Sequence, residues 1–241
     1  MANLVGSALT MTGISVSYGP TVALENASIE VPVGSVMGFI GPNGAGKSTL
    51  IKSAIDLIDH DGEVAFFGKP LAQVRDRVAY MPQSAAVDWD YPITVEQVVG
   101  MGLYPRLGWF KRFTGEHREE VRHALERVGI ADLAKRHISE LSGGQRRRVF
   151  VARILVQNPD IFLLDEPFAG VDAASERVIR DVLHGLCEDG KSVVIVHHDL
   201  STVTELCDHV TVINRQIVAT GTVEEAFTRE TVNAAFGLGL L

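Results

Sequence analysis

Cysteine is scarce in this chain: Cys187 and Cys207 are the only two among 241 residues, far apart and in no C-x-x-C arrangement. That argues against a disulfide framework and makes reduced cytosolic thiols the default. A basic excess is also missing. Lys and Arg number 22 against 30 Asp and Glu, for a net charge of −8, which argues against a general nucleic-acid-binding surface. No apolar run comes near the roughly 20 residues needed to span a bilayer, and no signal-peptide pattern is present. The expectation is a chain soluble on its own. Eight histidines cluster only at His197-His198, so the chain itself is not expected to bind a transition metal. Neither an internal repeat nor a low-complexity segment is found. The length suits one α/β domain with a sizeable core plus a smaller inserted unit.

What is there begins with Gly41-Pro42-Asn43-Gly44-Ala45-Gly46-Lys47-Ser48-Thr49. The preceding Ser35–Ile40 reads as a short buried strand. Ser48–Asp56 carries Leu50, Ile51, Ala54 and Ile55 at helical spacing. Strand, glycine loop and helix together are the context that makes a G-x-x-x-x-G-K-[ST] match a phosphate cradle. Its N–H groups and the helix N-terminus point at the anion. Lys47 is expected to reach the β- and γ-phosphates of ATP, Ser48 to ligate Mg²⁺, and Thr49 to add a contact to the α-phosphate.

Ile161–Leu164 is a continuous apolar run that ends in Asp165-Glu166-Pro167. Such a run suits the middle of a parallel sheet covered on both faces, and acidic groups at its C-terminal end lie where open α/β sheets bind ligands. Asp165 is the expected Mg²⁺ partner and Glu166 the group that polarises the attacking water. Ser192–Val196 follows a helix predicted over Ala173–Cys187 and should end at the same edge, delivering His197 or His198 to the γ-phosphate. Spacing alone leaves both histidines open.

A second anion site, about a hundred residues after the first, is incomplete. Leu141-Ser142-Gly143-Gly144-Gln145 places Ser142 as an N-cap ahead of a helical run reaching Gln157. It carries no lysine or metal-binding hydroxyl, so another molecule is expected to complete it.

With these pieces together the chain resembles an ATP-binding cassette (ABC) ATPase along nearly its whole length, and the Leu141–Gln145 pentapeptide is the most specific mark of that family. The resemblance implies a P-loop NTPase (RecA-like) α/β core with an antiparallel β subdomain and an inserted α-helical subdomain. Residues 1–84 and 150–241 would form the core and 85–149 the helical unit. It implies that Tyr18 stacks on adenine, that Gln83 touches Mg²⁺ and water, and that the loop at Asp172 crosses a dimer interface. Ser142, Gly143, Gly144 and Gln145 would contact the γ-phosphate held by the opposite subunit. A switch histidine that precedes aspartate selects His198.

Three further expectations come from the rest of the chain. Leu9–Val33 and Gly62–Gly68 alternate like antiparallel strands, whereas Val95–Leu103 and Glu116–Val128 read as helices. Arg146-Arg147-Arg148 is expected to be a solvated helix face. Ser84–Pro92 and Tyr104–Phe110, with both tryptophans among prolines and glycines, suit a groove for a partner helix. Two departures, Phe168 after Pro167 and Val171 before Asp172, accompany the stretch Val87–Pro92. That stretch is similar to the ATPases of manganese, zinc and iron importers. The implied partners are a second ATPase subunit, a multispanning permease and an extracytoplasmic metal-binding protein, at the cytoplasmic face of a bacterial membrane. The alternatives are a soluble ABC ATPase of iron–sulfur assembly or a cassette for another substrate. No long coiled coil of the DNA-repair type and no second cassette of the translation type is present, and a small-molecule kinase would not explain Leu141–Gln145.

Overall fold

The computed structural model describes residues 6–83, 91–108 and 112–237. Strands β1 (Ser7–Tyr18) and β2 (Thr21–Pro32) pair antiparallel, and after β3 (Val36–Ile40) and α1 (Lys47–Ala54), strand β4 (Asp61–Phe66) joins β1 on its other side. The expected alternating strands are these three.

The second sheet runs in the order β5 (Val78–Met81), β6 (Ile161–Asp165), β7 (Ser192–Val196), β3, β8 (His209–Asn214), β9 (Gln216–Thr222). All its neighbours are parallel except β8 and β9. Its middle strands are continuous apolar runs because both faces are covered. Phe162, Leu164, Val193 and Ile195 enter one core, which continues into the helices. Ile161, Leu163, Val194 and Val196 enter a second core with α1 and the small sheet.

The helices of the first core are α2 (Val95–Gly100), α3 (Tyr104–Leu107), α4 (Gly115–Arg127), α5 (Gly143–Leu155) and α6 (Ala173–Glu188). Short α7 (Val203–Leu206), α8 (Val223–Ala226) and α9 (Arg229–Phe236) complete the chain. The expected boundary at 149/150 falls inside α5, one uninterrupted helix whose residues from Val149 to Leu155 lie in the same core as the sheet.

The groove expectation falls mainly on Ser84–Asp90, Trp109 and Phe110, outside the described residues. Of the described part, Tyr91 and Tyr104 are exposed and Leu107 is buried. Both thiols are free, and burial pushes Cys187 and Cys207 up to about 12. No helix among the described residues is long and apolar enough to cross a membrane.

Candidate functional site

Parallel pairing fixes where the chemistry gathers. Strands β3, β5, β6 and β7 all point the same way, so the residues following each one emerge at one edge. There Tyr18, Ala23, the whole loop Gly41–Thr49, Gln83, Glu166, His198 and Phe236 line one open cleft of about 970 Å³. Phe236 on α9 was not visible as a site residue in the sequence, since it sits in no motif.

The loop is braced from outside. Ala45 accepts the Arg215 N–H at 2.8 Å, so the β8–β9 turn holds its midpoint. Gly46 precedes α1 with φ 98°, and a Cβ there would meet Leu24 Cδ2 at 2.5 Å and the Ala23 carbonyl oxygen at 2.7 Å. Only glycine takes that backbone without strain and leaves the loop against β2. Lys47 is buried, and its Nζ donates to the carbonyls of Gly41 (2.7 Å) and Pro42 (2.9 Å). Burial lowers its pKa, opposed by the nearby charges of Glu166 and Asp165.

Ser48 Oγ donates to Asp165 Oδ1 at 2.8 Å, which joins two residues 117 apart in sequence. Asp165 is 1 % exposed and lies behind Ser48 rather than in the cleft lining. Burial raises its pKa, with the Ser48 hydrogen bond opposing. A desolvated carboxylate beside a hydroxyl, with Gln83 close by, is the hard oxygen donor set that suits Mg²⁺. Glu166 has φ 52°, a left-handed conformation rarely adopted by residues with a side chain. Gln83 Nε2 donates to its carboxylate at 2.7 Å.

The two histidines part ways. His197 follows Val193 and Ile195 on the face of β7 turned to the first core: it is 3 % exposed, its Nε2 meets Thr202 Oγ1 at 2.6 Å, and Phe168 packs on it edge-on with ring centres 5.6 Å apart. Burial and the neighbouring His198 lower its pKa. His198 is exposed and lines the cleft. Phe168, one of the two departures from the commoner pattern, thus has a packing role against His197.

The arginine triplet is not a solvated face. Arg146 Nη2 donates to the Ser139 carbonyl at 3.1 Å, and Arg148 Nη1 donates to Val128 and Gly129 carbonyls at 3.3 and 3.2 Å. Arg147 turns to the site: Nε donates to Pro167 O at 3.0 Å, Nη1 to Gln83 O at 3.1 Å, and Nη2 to Asp165 O at 3.1 Å and to Glu166 O. Consecutive charges read as solvated by composition, but a planar fork of N–H donors fits main-chain carbonyls.

Ser142 caps α5 by accepting from Gln145 N at 3.3 Å, and Gln145 Oε1 accepts from Ser142 N at 2.9 Å. Ser142, Gly143, Gly144, Gln145 and Asp172 stand outside the cleft lining. Asp172 caps α6, accepting from Ser175 N and Oγ at 2.9 Å each.

Residues 24–169 match the family model described as ABC transporter. The chain is 46 % identical to a probable metal transport system ATP-binding protein of Chlamydia muridarum, over 94 % of this chain and 88 % of that protein. It is 46 % identical to the zinc transport system ATP-binding protein TroB of Treponema pallidum (95 % and 87 % covered). It is 45 % identical to the manganese transport system ATP-binding protein MntB of Bacillus subtilis (94 % and 91 % covered). Among solved structures, the ADP conformation of MJ1267, an ATP-binding cassette of an ABC transporter, superposes with a TM-score of 0.82 at 27 % identity, covering 97 % of this chain and 99 % of that one. The motifs at one sheet edge and these full-length likenesses agree: the chain belongs to the ABC transporter family of ATP-binding, ATP-hydrolysing cassettes.

Proposed function

We propose that this chain is the ATPase subunit that powers a membrane importer of divalent metal ions, with manganese, zinc or iron as cargo. The observation that carries the reading is the identity of about 45 % along nearly the whole chain to subunits named for zinc and manganese transport. Because no helix among the described residues can cross a membrane, a multispanning permease must supply the path, with an extracytoplasmic metal-binding protein delivering the ion. The chain works as a pair at the cytoplasmic face of that membrane.

In this reading Tyr18, half exposed at the rim of the cleft, stacks on adenine. The N–H groups of Gly41–Thr49 hold the phosphates. Lys47 is prepaid for this: it is already desolvated, and its two carbonyl bonds can be exchanged for phosphate oxygens. Ser48, Asp165 and Gln83 are the residues that would hold Mg²⁺, whose charge, when bound, offsets that developing on the phosphates. Glu166 orients the attacking water and takes its proton, with its carboxylate aimed by Gln83. His198, which lines the same cleft, contacts the γ-phosphate. Ser142–Gln145 and the Asp172 turn, outside their own cleft, face that of the second subunit. We assign residues 1–84 and 150–241 to the nucleotide-binding core and 85–149 to the helical unit, with α5 shared. A groove of about 400 Å³ in that unit, lined by Tyr104, Leu107 and Phe113 among others, is where we dock a permease helix.

Uptake of labelled Mn²⁺, Zn²⁺ and Fe²⁺ by cells carrying the wild-type chain or Lys47→Ala tests the reading. Uptake of one ion should fall to background in the variant; unchanged uptake of all three would overturn it.

A further inference from the structure

We propose that Arg147 is a positioning residue for hydrolysis: its guanidinium fixes the Asp165–Pro167 turn and the Gln83 loop in register, and so sets where the Glu166 carboxylate stands. The proposal rests on the reading of Glu166 as the water-orienting base.

Three observations carry it. The first is convergence. Gln83 and the Asp165–Pro167 turn lie on different strands, yet four of their carbonyls point at one side chain from α5. Five N–H donors in a rigid plane can serve such a set, whereas a lysine or glutamine side chain offers fewer donors and no fork.

The second is the backbone that is held. Glu166 is a non-glycine residue at φ 52°, a conformation that persists only where surroundings over-determine it. Arg147 bonds the carbonyl of Glu166 itself and those of both its chain neighbours. With Gln83 Nε2 on the carboxylate, Glu166 is held at its main chain and at its side-chain tip. A carboxylate held at both ends is pre-organised for aiming a water.

The third is contrast. Arg146 and Arg148, the flanking residues of the same helix, bond carbonyls at Ser139, Val128 and Gly129, none of which lines the cleft. Anchoring α5 to its neighbours is therefore already provided by those two. The bonds of Arg147 go instead to the strand ends that bear Asp165, Glu166 and Gln83.

The test uses the full chain with five forms: wild type, Arg147→Ala, Arg147→Lys, Arg148→Ala and Glu166→Gln. Steady-state Mg²⁺-ATP hydrolysis, ATP affinity measured without turnover, and thermal unfolding are read for each. Groups that orient a reacting shell commonly cost 10- to 100-fold when removed, so kcat of Arg147→Ala should fall by roughly that factor while ATP affinity stays within about twofold. Arg147→Lys, which keeps the charge but not the fork, should recover part of the rate. It carries the test if the alanine variant fails to fold. Arg148→Ala should lose thermal stability but keep its rate within about twofold.

A wild-type rate in Arg147→Ala, or in Arg147→Lys if only that variant folds, overturns the proposal. So does an equal loss of rate and ATP affinity in Arg147→Ala and Arg148→Ala, which would mark a common structural role. Ordinary hydrolysis in Glu166→Gln would instead overturn the base assignment, and the proposal with it. Lost hydrolysis there beside normal hydrolysis in Arg147→Ala would remove the role of Arg147 alone.

Discussion

Gly144 on α5 lies directly against Asp172 and Ser175 at the start of α6, and replacing it with alanine is a sharp test of that packing. A Cβ at this position would lie 2.5 Å from Ser175 Oγ and 3.1 Å from Ser175 Cβ, and closer still to Asp172 Oδ2. Ordinary contact begins near 3.4 Å, so the helices must part by about 1 Å or the Asp172 cap must break. Neither atom is the free end of a long side chain: Ser175 Oγ donates to Asp172 Oδ2, and Ser175 N donates to Oδ1. Overpacking of this kind costs about 1–3 kcal/mol. Alanine returns roughly 0.5–1 kcal/mol through its better helix propensity, leaving a net loss between about 0 and 2.5 kcal/mol, centred near 1 kcal/mol. For a chain of this size the central value is a fall in Tm of about 2–4 °C. The same displacement moves Ser142 and Arg147, so hydrolysis should drop more steeply than ATP affinity. Gly143→Ala is the matched control, since its Cβ would meet only the Gly170 carbonyl oxygen at 3.4 Å. It should unfold at or above the wild-type temperature. A Gly144→Ala chain with an unchanged or raised Tm would mean that propensity alone decides and that α5 and α6 do not pack this closely.

Ser142→Arg should leave ATP binding by the single chain intact, cost about 1 kcal/mol from the lost α5 cap, and block hydrolysis by obstructing closure on the second subunit. An undiminished ATPase rate would argue against a site completed in trans. Asp160→Ala probes the opposite edge of the sheet, where Arg77 Nε at 2.5 Å and Lys191 Nζ at 2.9 Å meet one carboxylate. Burial alone would raise the Asp160 pKa, but hydrogen bonds and charge from Lys191 and Arg77 together hold it below its ordinary 3.8. A depressed carboxylate contributes stability above its unfolded-state value and loses it as pH falls through the folded one. These groups are partly exposed and screened, so the variant should lose only about 1 kcal/mol at neutral pH. The difference should shrink with added salt, begin to fall as the pH drops below 3.8 and vanish only below the lowered folded-state value, with hydrolysis at neutral pH unaffected; a deficit that persists below that value would show packing, not charge, at work.

What could be read from the sequence was whatever local pattern determines. Continuous apolar runs that end in Asp165-Glu166 and His197-His198 imply buried parallel strands with their chemistry at one edge, and that edge is the cleft. Strand parity did not separate the histidines, because Val193 and Ile195 on one face and Val194 and Val196 on the other are equally buried; only the fold shows His197 inside and His198 in the cleft. What stayed hidden depends on tertiary approach. Nothing in a run of three arginines tells that each will find main-chain carbonyls. Phe236, and the Arg215 turn that braces Ala45, lie far along the chain from the loop they support. That α5 runs unbroken across 149/150 stayed hidden for a related reason: its amphipathic period does not register that its first half meets the α6 cap while its second half packs in the core of the sheet.

That double service gives α5 a definite mechanical meaning. Its first turn presents the Ser142 cap to the outside and packs Gly144 against the cap of α6, and its second turn sends Arg147 to the carbonyls beside Glu166 and Gln83. The two ends are separated by about five residues, or roughly 7.5 Å of helix rise, too short for bending to absorb a displacement. A partner that pulls on the Ser142 end therefore acts on the register of the Asp165–Pro167 turn. By the reciprocity of binding free energies, a nucleotide that fixes that turn must bias the presentation of Ser142 to the same degree. The Ser142 cap and the Asp165–Pro167 turn are thus joined within a single chain through α5 and the Arg147 side chain.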